Sequence, residues 1–200
     1  MSITDLFDSI RRGDEAQIRA LLAGDPKLGH SRNPEGASAV LWSVYTRHAE
    51  LAPLLLAGRE SDFFEACALG RLDRVTSLLR EDQSLAAADS PDGFSALGLA
   101  VFFGHVEIAL LLVERGADVN RASRNSFHVT PLHSAVESGK LELLDLLLTH
   151  GAKPDPEESF GATPLKCAQV RGNDEMVKRL LAAGADPERA RAGAEQAGVP

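Results

Sequence analysis

The chain has 200 residues, with 29 Asp and Glu against 21 Lys and Arg, giving a formal net charge of −8. This acidic balance argues against a nucleic-acid binder held by phosphate contacts, and no uncharged apolar run is long enough for a membrane-spanning helix. The opening MSITDLFDSIRR turns acidic and polar too early for a secretory signal, and two widely separated cysteines, Cys67 and Cys167, are expected to be reduced and buried, which fits the cytoplasm.

One pattern recurs along the chain. A Ser or Thr stands nine residues before a helix-ending position, usually Gly: Thr4 with Gly13, Ser38 with Arg47, Ser61 with Gly70, Ser95 with Gly104, Thr130 with Gly139 and Thr163 with Gly172. Each hydroxyl is expected to cap a first helix by accepting a free backbone N–H. Pro131 and Pro164 follow at the first helical position, where the missing N–H is harmless. A second helix follows each turn, with apolar residues on one face: Ile18, Leu21 and Leu22; Ala52, Leu55 and Leu56; Val75, Leu78 and Leu79; Ala109, Leu112 and Val113; Leu144, Leu147 and Leu148; Val177, Leu180 and Leu181. Successive Ser/Thr markers are 34, 23, 34, 35 and 33 residues apart.

In chain order, residues 3–24 predict a first helix pair. Its charged faces (Asp5, Asp8, Arg11, Arg12, Asp14, Glu15, Arg19) suit a terminal cap. Pro26, Asn33, Pro34 and Gly36 then predict a projecting finger. The second repeat, Ser38 to Gly58, departs from the pattern: Arg47 replaces Gly, and the only Trp and Tyr, Trp42 and Tyr45, lie on its first helix. Ser61 follows Gly58 by three positions, so one finger is missing. That predicts a notch in the row of fingers and an altered stacking angle, unless residues 38–60 are not a regular repeat. The third unit runs from Ser61 to Asp82 with a polar finger through Gly93, and the fourth from Ser95 to Asn120. The next finger, Arg121 to Val129, is longer, and His128 stands where its neighbours have Gly93 and Gly161. A residue there must take a positive φ or reshape the turn. Thr130 to Gly151 and Thr163 to Gly184 complete the series, and residues 187–200 predict a polar helix over the last repeat.

The stretches TPLH at Thr130 to His133, TPLK at Thr163 to Lys166 and GADVN at Gly116 to Asn120, with the weaker copies GAKP at Gly151 and GADP at Gly184, resemble the ankyrin-repeat family. A period near 33 with two helices and a turn agrees. The resemblance covers about residues 3–187 and is strongest in the last three repeats. It implies an all-α fold: an ankyrin-repeat α-solenoid of about six stacked helix-turn-helix repeats with short hairpin fingers. One domain, 1–200, would hold repeats at 3–33, 34–58, 59–89, 90–123, 124–156 and 157–187 and a capping tail at 188–200. It also implies structural roles for His133 and His105. Asn120 resembles an asparagine that hydroxylases modify in this family, and its expected role is to tie down the turn.

No histidine pairs with Cys or His at metal-ligand spacing, and no nucleophile elbow, phosphate loop or dinucleotide fingerprint occurs. The sequence therefore predicts no catalytic residue, cofactor or metal, and a non-enzymatic protein. In this family partners meet the finger tips and the exposed ends of the first helices. Those positions here include Arg11, Arg12, Trp42, Tyr45, Leu69, Phe94, Phe102, Phe103, Phe127 and Arg171. Their apolar, aromatic middle predicts a protein-interaction surface. Whether Phe102 or Phe103 instead folds into the core is open at this stage. The favoured function is a protein–protein interaction module, an adaptor, inhibitor or effector. Its partner would bring apolar residues and some acidic ones opposite Arg11, Arg12 and Arg171. The alternative is an assembly protein using the same patch for homo-oligomerisation. A monomer is favoured over a homodimer, with neither nucleic acid nor membrane as partner.

Overall fold

A computed structural model describes residues 2–159 and 161–190. The described residues contain no strand, only isolated bridges at Arg32 with Ser38 and Asp89 with Ser95, at the bases of two fingers. The helices fall into six pairs: α1 (Ile3–Arg12) with α2 (Glu15–Gly24), α3 (Ala39–Tyr45) with α4 (Ala52–Leu56), α5 (Phe63–Ala68) with α6 (Leu72–Glu81), α7 (Ala96–Phe102) with α8 (Val106–Glu114), α9 (Pro131–Ser138) with α10 (Leu141–Thr149), and α11 (Pro164–Val170) with α12 (Asp174–Ala182). The fold is an all-α solenoid. Residues 187–190 are helical, and the rest of the expected capping tail lies outside the described residues.

The turn grammar is set by backbone hydrogen bonding. All six helix-ending positions take the left-handed conformation, from Gly172 at φ 65° to Gly104 at φ 79°. Arg47 complies at φ 66° although it carries a Cβ. This turn lets the next N–H bond back to the helix, as His105 does to the Ala100 carbonyl (2.8 Å) and His48 to that of Ser43 (2.7 Å). The residue after the turn then covers the glycine one repeat back: a Cβ on Gly13 would meet the His48 ring at 2.5 Å, and one on Gly70 the His105 ring at 2.6 Å. His105 also donates from Nε2 to the Ala68 carbonyl (2.9 Å), consistent with a structural role.

Four expected caps are in place: Ser38, Ser95, Thr130 and Thr163. Two are corrected. Ser2, not Thr4, caps α1, and Asp62, not Ser61, caps α5. In both cases an acidic residue three positions on (Asp5 or Glu65) bonds back to the capping residue's own N–H. That reciprocal box satisfies two donors where a lone hydroxyl satisfies one.

The apolar core is divided. One cluster joins Leu6, Ile10, Ile18, Leu21, Val40, Leu51 and Leu55. The other runs from Leu41 and Val44 through Val75, Leu112 and Leu147 to Ala190. Helix α3 serves both, giving Ala39 and Val40 to the first and Leu41 and Val44 to the second. First helices stack without interruption from α1 to α11. In the second row α6, α8, α10 and α12 stack in turn, while α4 packs on the 3-10 turn Pro26–His30.

The expected notch in the fingers is closed. The chain between α4 and α5 is short and turns through Ala57 (φ 49°) and Gly58 (φ 86°). Across this missing finger, however, the neighbouring fingers meet. A Cβ on Gly36 would lie 2.5 Å from the Pro91 carbonyl oxygen, just as one on Gly93 would lie 2.8 Å from the Asn125 nitrogen in the next pair. Omitting a finger has moved its neighbours together.

Beneath this junction Glu65 is fully buried. Its carboxylate accepts two bonds from Arg59 (2.7 and 2.8 Å), one from the Ser38 hydroxyl (2.8 Å) and one from the Asp62 N–H (2.9 Å). Burial pushes this carboxyl up, but these donors outweigh it and hold the group below the usual carboxylate range. Burial holds neighbouring Asp62 above that range. Ser38 belongs to the second repeat and Glu65 to the third, so this polar knot ties the two parts of the solenoid together.

Candidate functional site

The first helices and finger tips enclose a groove of about 720 Å³. Trp42, Tyr45, Phe94, Phe102 and Phe127 line it, with Leu99 and Val129. Phe102 is 43% exposed and Phe127 49%. Phe103 is half-buried, so neither ring at the end of α7 is sealed inside.

Local chemistry fixes these rings. Phe103 ends α7, with its N–H on the Leu99 carbonyl (3.1 Å), and lies edge-on to Phe102 with centroids 5.0 Å apart. Tyr45 touches both Phe103 (5.8 Å) and Phe94 (6.0 Å), and Phe94 stacks on Phe127 at 6.4 Å. The rings thus form a continuous ladder from α3 across α7 to the next finger, worth about 0.5–1.5 kcal/mol per pair beyond area burial. Asn125 orients the far end: its side-chain oxygen accepts the Phe127 N–H (3.2 Å), and its amide donates to the Asp92 carbonyl (3.0 Å). His128 adopts φ 52°, so the left-handed turn is kept without glycine. It is anchored through Nδ1 to the Ser159 hydroxyl (2.9 Å), and Ser159 N–H bonds to the Phe127 carbonyl (2.9 Å). At the other end Trp42 donates from Nε1 to the Phe7 carbonyl (3.2 Å).

Asp92 sits among these rings, 7% exposed. Its carboxylate accepts from the Tyr45 hydroxyl (2.7 Å) and from the Ser90 hydroxyl. Burial, reinforced by this carboxylate, drives the Tyr45 phenol far up from its ordinary value, so it remains a hydrogen-bond donor. His133 lines the groove as well but is occupied by its own repeat and the next. Its Nδ1 accepts the Thr130 N–H (3.2 Å) and its Nε2 donates to the Ala162 carbonyl (3.0 Å), while burial lowers its pKa. Asn120 ties two repeats, donating to the Gly151 carbonyl (3.0 Å) and accepting from Lys153 N–H (2.8 Å).

Five of the ten residues expected at the binding surface line this groove; Arg11, Arg12, Leu69, Phe103 and Arg171 do not. Arg11 pairs with Asp8 along its own helix (2.9 Å), and Arg12 is exposed beside it. Leu69 is half-buried against both cores. Phe103 supports the ladder from behind. Arg171 is held by Glu137, which itself lines the groove. Glu35, Asn125 and Ser126 also line it and were not singled out from the sequence; nothing in their local pattern marks them, because fingers distant in sequence bring them together.

The reactive side chains elsewhere are quiet. Cys67 is buried and unpaired, and burial pushes the free Cys167 thiol up to about 11. Among the described residues no group of His, Cys, Asp and Glu is placed to hold a metal, and no helix is long and apolar enough to cross a membrane.

Paired helices stacked in one row, with fingers and a groove on one side, define a repeat solenoid with a concave face. The family model for ankyrin repeats (three copies) matches residues 6–123 and again 120–191. The chain belongs to the ankyrin-repeat family. It is 28% identical over 164 residues to the probable 26S proteasome regulatory subunit p28 of Saccharomyces cerevisiae, covering 74% of this chain and 70% of that one. It is 33% identical over 93 residues to the human protein phosphatase 1 regulatory subunit 27, covering 46% and 59%. With the rice E3 ubiquitin-protein ligase XB3 it shares 38% over 92 residues, 46% of this chain but 20% of that one. The chain thus spans less than two thirds of the last two relatives.

Proposed function

We propose that this chain is a non-catalytic protein-binding module that holds a protein partner in its concave groove and on its finger tips, acting in the cytoplasm as an adaptor, inhibitor or effector. Membership of a family whose repeats generally mediate protein–protein contact supports this. So do regulatory subunits among its relatives. The carrying observation is the exposure of Phe102 and Phe127 at the lip of an aromatic groove. Water contact at two phenyl rings lining one groove is unfavourable by roughly 25 cal/mol per Å² of apolar surface, which a partner would recover. Trp42, Tyr45 and Phe94 form the floor, and Arg11, Arg12, Leu69, Phe103 and Arg171 flank or support it.

Photo-crosslinking tests the reading. A benzophenone side chain at position 102 or 127 should trap one protein in the source cells. The same group at Leu110, 40% exposed but outside the groove, should not trap it. Capture should be lost on Phe102→Ala although the variant remains folded, with only a small fall in melting temperature. Equal trapping at all three positions, or undiminished capture by Phe102→Ala, would overturn the proposal.

A further inference from the structure

Charge distinguishes this groove from a merely greasy one. Among the described residues its charged lining is Glu35, Asp92 and Glu137, with no Lys or Arg. Glu137 is already neutralised by Arg171. Glu35 is exposed at a finger tip and forms no ion pair among the described residues. Asp92 is more than nine-tenths buried, and its side-chain partners are two neutral hydroxyls. A carboxylate removed from water gains most from a cation when none is already beside it. The Tyr45 hydroxyl is a neutral donor to Asp92 and brings no positive charge.

We infer that the groove takes an extended segment carrying an arginine flanked by apolar side chains. The guanidinium faces Asp92 and Glu35, and the apolar side chains rest on Phe102 and Phe127. This rests on the groove being the docking surface and reverses the partner charge expected from the sequence, because the arginines that suggested acidic ligands lie outside the groove or are paired. Arginine fits better than lysine. Its planar head can lie on a phenyl face while its edge donates to a carboxylate, and it is more weakly hydrated than an ammonium.

The test is selection of random peptides displayed on phage against the immobilised full chain, followed by calorimetry with the best synthetic peptide. Arginine beside aromatic or aliphatic residues is the expected enrichment. Affinity should fall about tenfold for Glu35→Lys and for Asp92→Asn, and should weaken with added salt. Glu35→Lys alters an exposed tip and leaves the fold intact, so it remains informative if Asp92→Asn loosens Tyr45. Replacing the peptide arginine by norleucine should match the loss. Peptides that are neutral or acidic yet lose binding on Phe102→Ala would overturn the charge inference and keep the groove. Peptides indifferent to Phe102→Ala, or no selected peptide at all, would overturn both. A homodimer by light scattering that Phe102→Ala dissolves would make a second copy the occupant and likewise overturn the inference.

Discussion

The first two repeats and the last four obey one turn grammar but satisfy it differently. From α5 onward, turn glycines, polar first-helix caps and leucine stripes agree with one another, and one core runs unbroken to Ala190. In the first two repeats the same turn is forced on Arg47, α4 is five residues long and entered through a 3-10 turn, and Ala57 also takes a positive φ. The smaller block keeps its place through α3, which feeds both cores, and through the Glu65 knot. Repeat number alone therefore does not measure solenoid stability; agreement of local and neighbour preferences does.

The contrast can be broken most severely in the cores. Leu112→Ala and Leu55→Ala, at fully buried sites in the two blocks, should each cost about 2–5 kcal/mol in urea unfolding. Leu55→Ala should leave hydrogen-exchange protection in α9 and α10 nearly unchanged, while Leu112→Ala lowers it. Wild-type exchange should show α7 to α10 better protected than α1 to α4; the opposite order would remove the distinction between blocks.

Cutting the knot comes next. Glu65→Ala should destabilise by about 3 kcal/mol, the lower end for a broken buried pair because Arg59 is a quarter exposed. It should also separate unfolding into two transitions. With its folded pKa depressed, Glu65 contributes stability that is present above the unfolded glutamate range and lost as pH falls through the lower folded value. The gap between wild type and Glu65→Gln should therefore be full at neutral pH and shrink below about pH 4. A gap that widened on acidification would contradict the assigned ionised state.

Smaller effects sharpen the comparison. Arg47→Gly should stabilise the first block by about 1 kcal/mol, since a Cβ at φ 66° is strained there. Phe102→Ala should cost no more than about 1 kcal/mol, since it gives up one edge-on ring contact with Phe103 but little buried surface. Thermal unfolding measures both.

Much of this architecture was legible in the chain. The spacing placed all six left-handed turns, including the one at Arg47, because a backbone hydrogen-bonding requirement outranks residue preference. It misassigned the caps at Thr4 and Ser61, where an acidic residue three positions beyond the true cap offered a better local bargain. The closed gap between fingers was not legible, because residue counts give a loop's length but not the direction in which its neighbours lean. The rings of the groove were visible as a composition anomaly. Its charge was not, since Glu35 and Asp92 are brought to one wall by fingers from different repeats, while Arg171, a residue that looked free, is consumed by Glu137.

Trp42 is the chain's only tryptophan. Its nitrogen is bonded to the Phe7 carbonyl at the seam with α1, and its ring borders the groove. The molecule therefore carries a native optical gauge at a place where two events meet. Undocking of the leading helix would wet the indole and move its emission to longer wavelength. A guest settling beside it would quench or dry it without that shift, so unlabelled protein in a cuvette can tell fraying from occupancy.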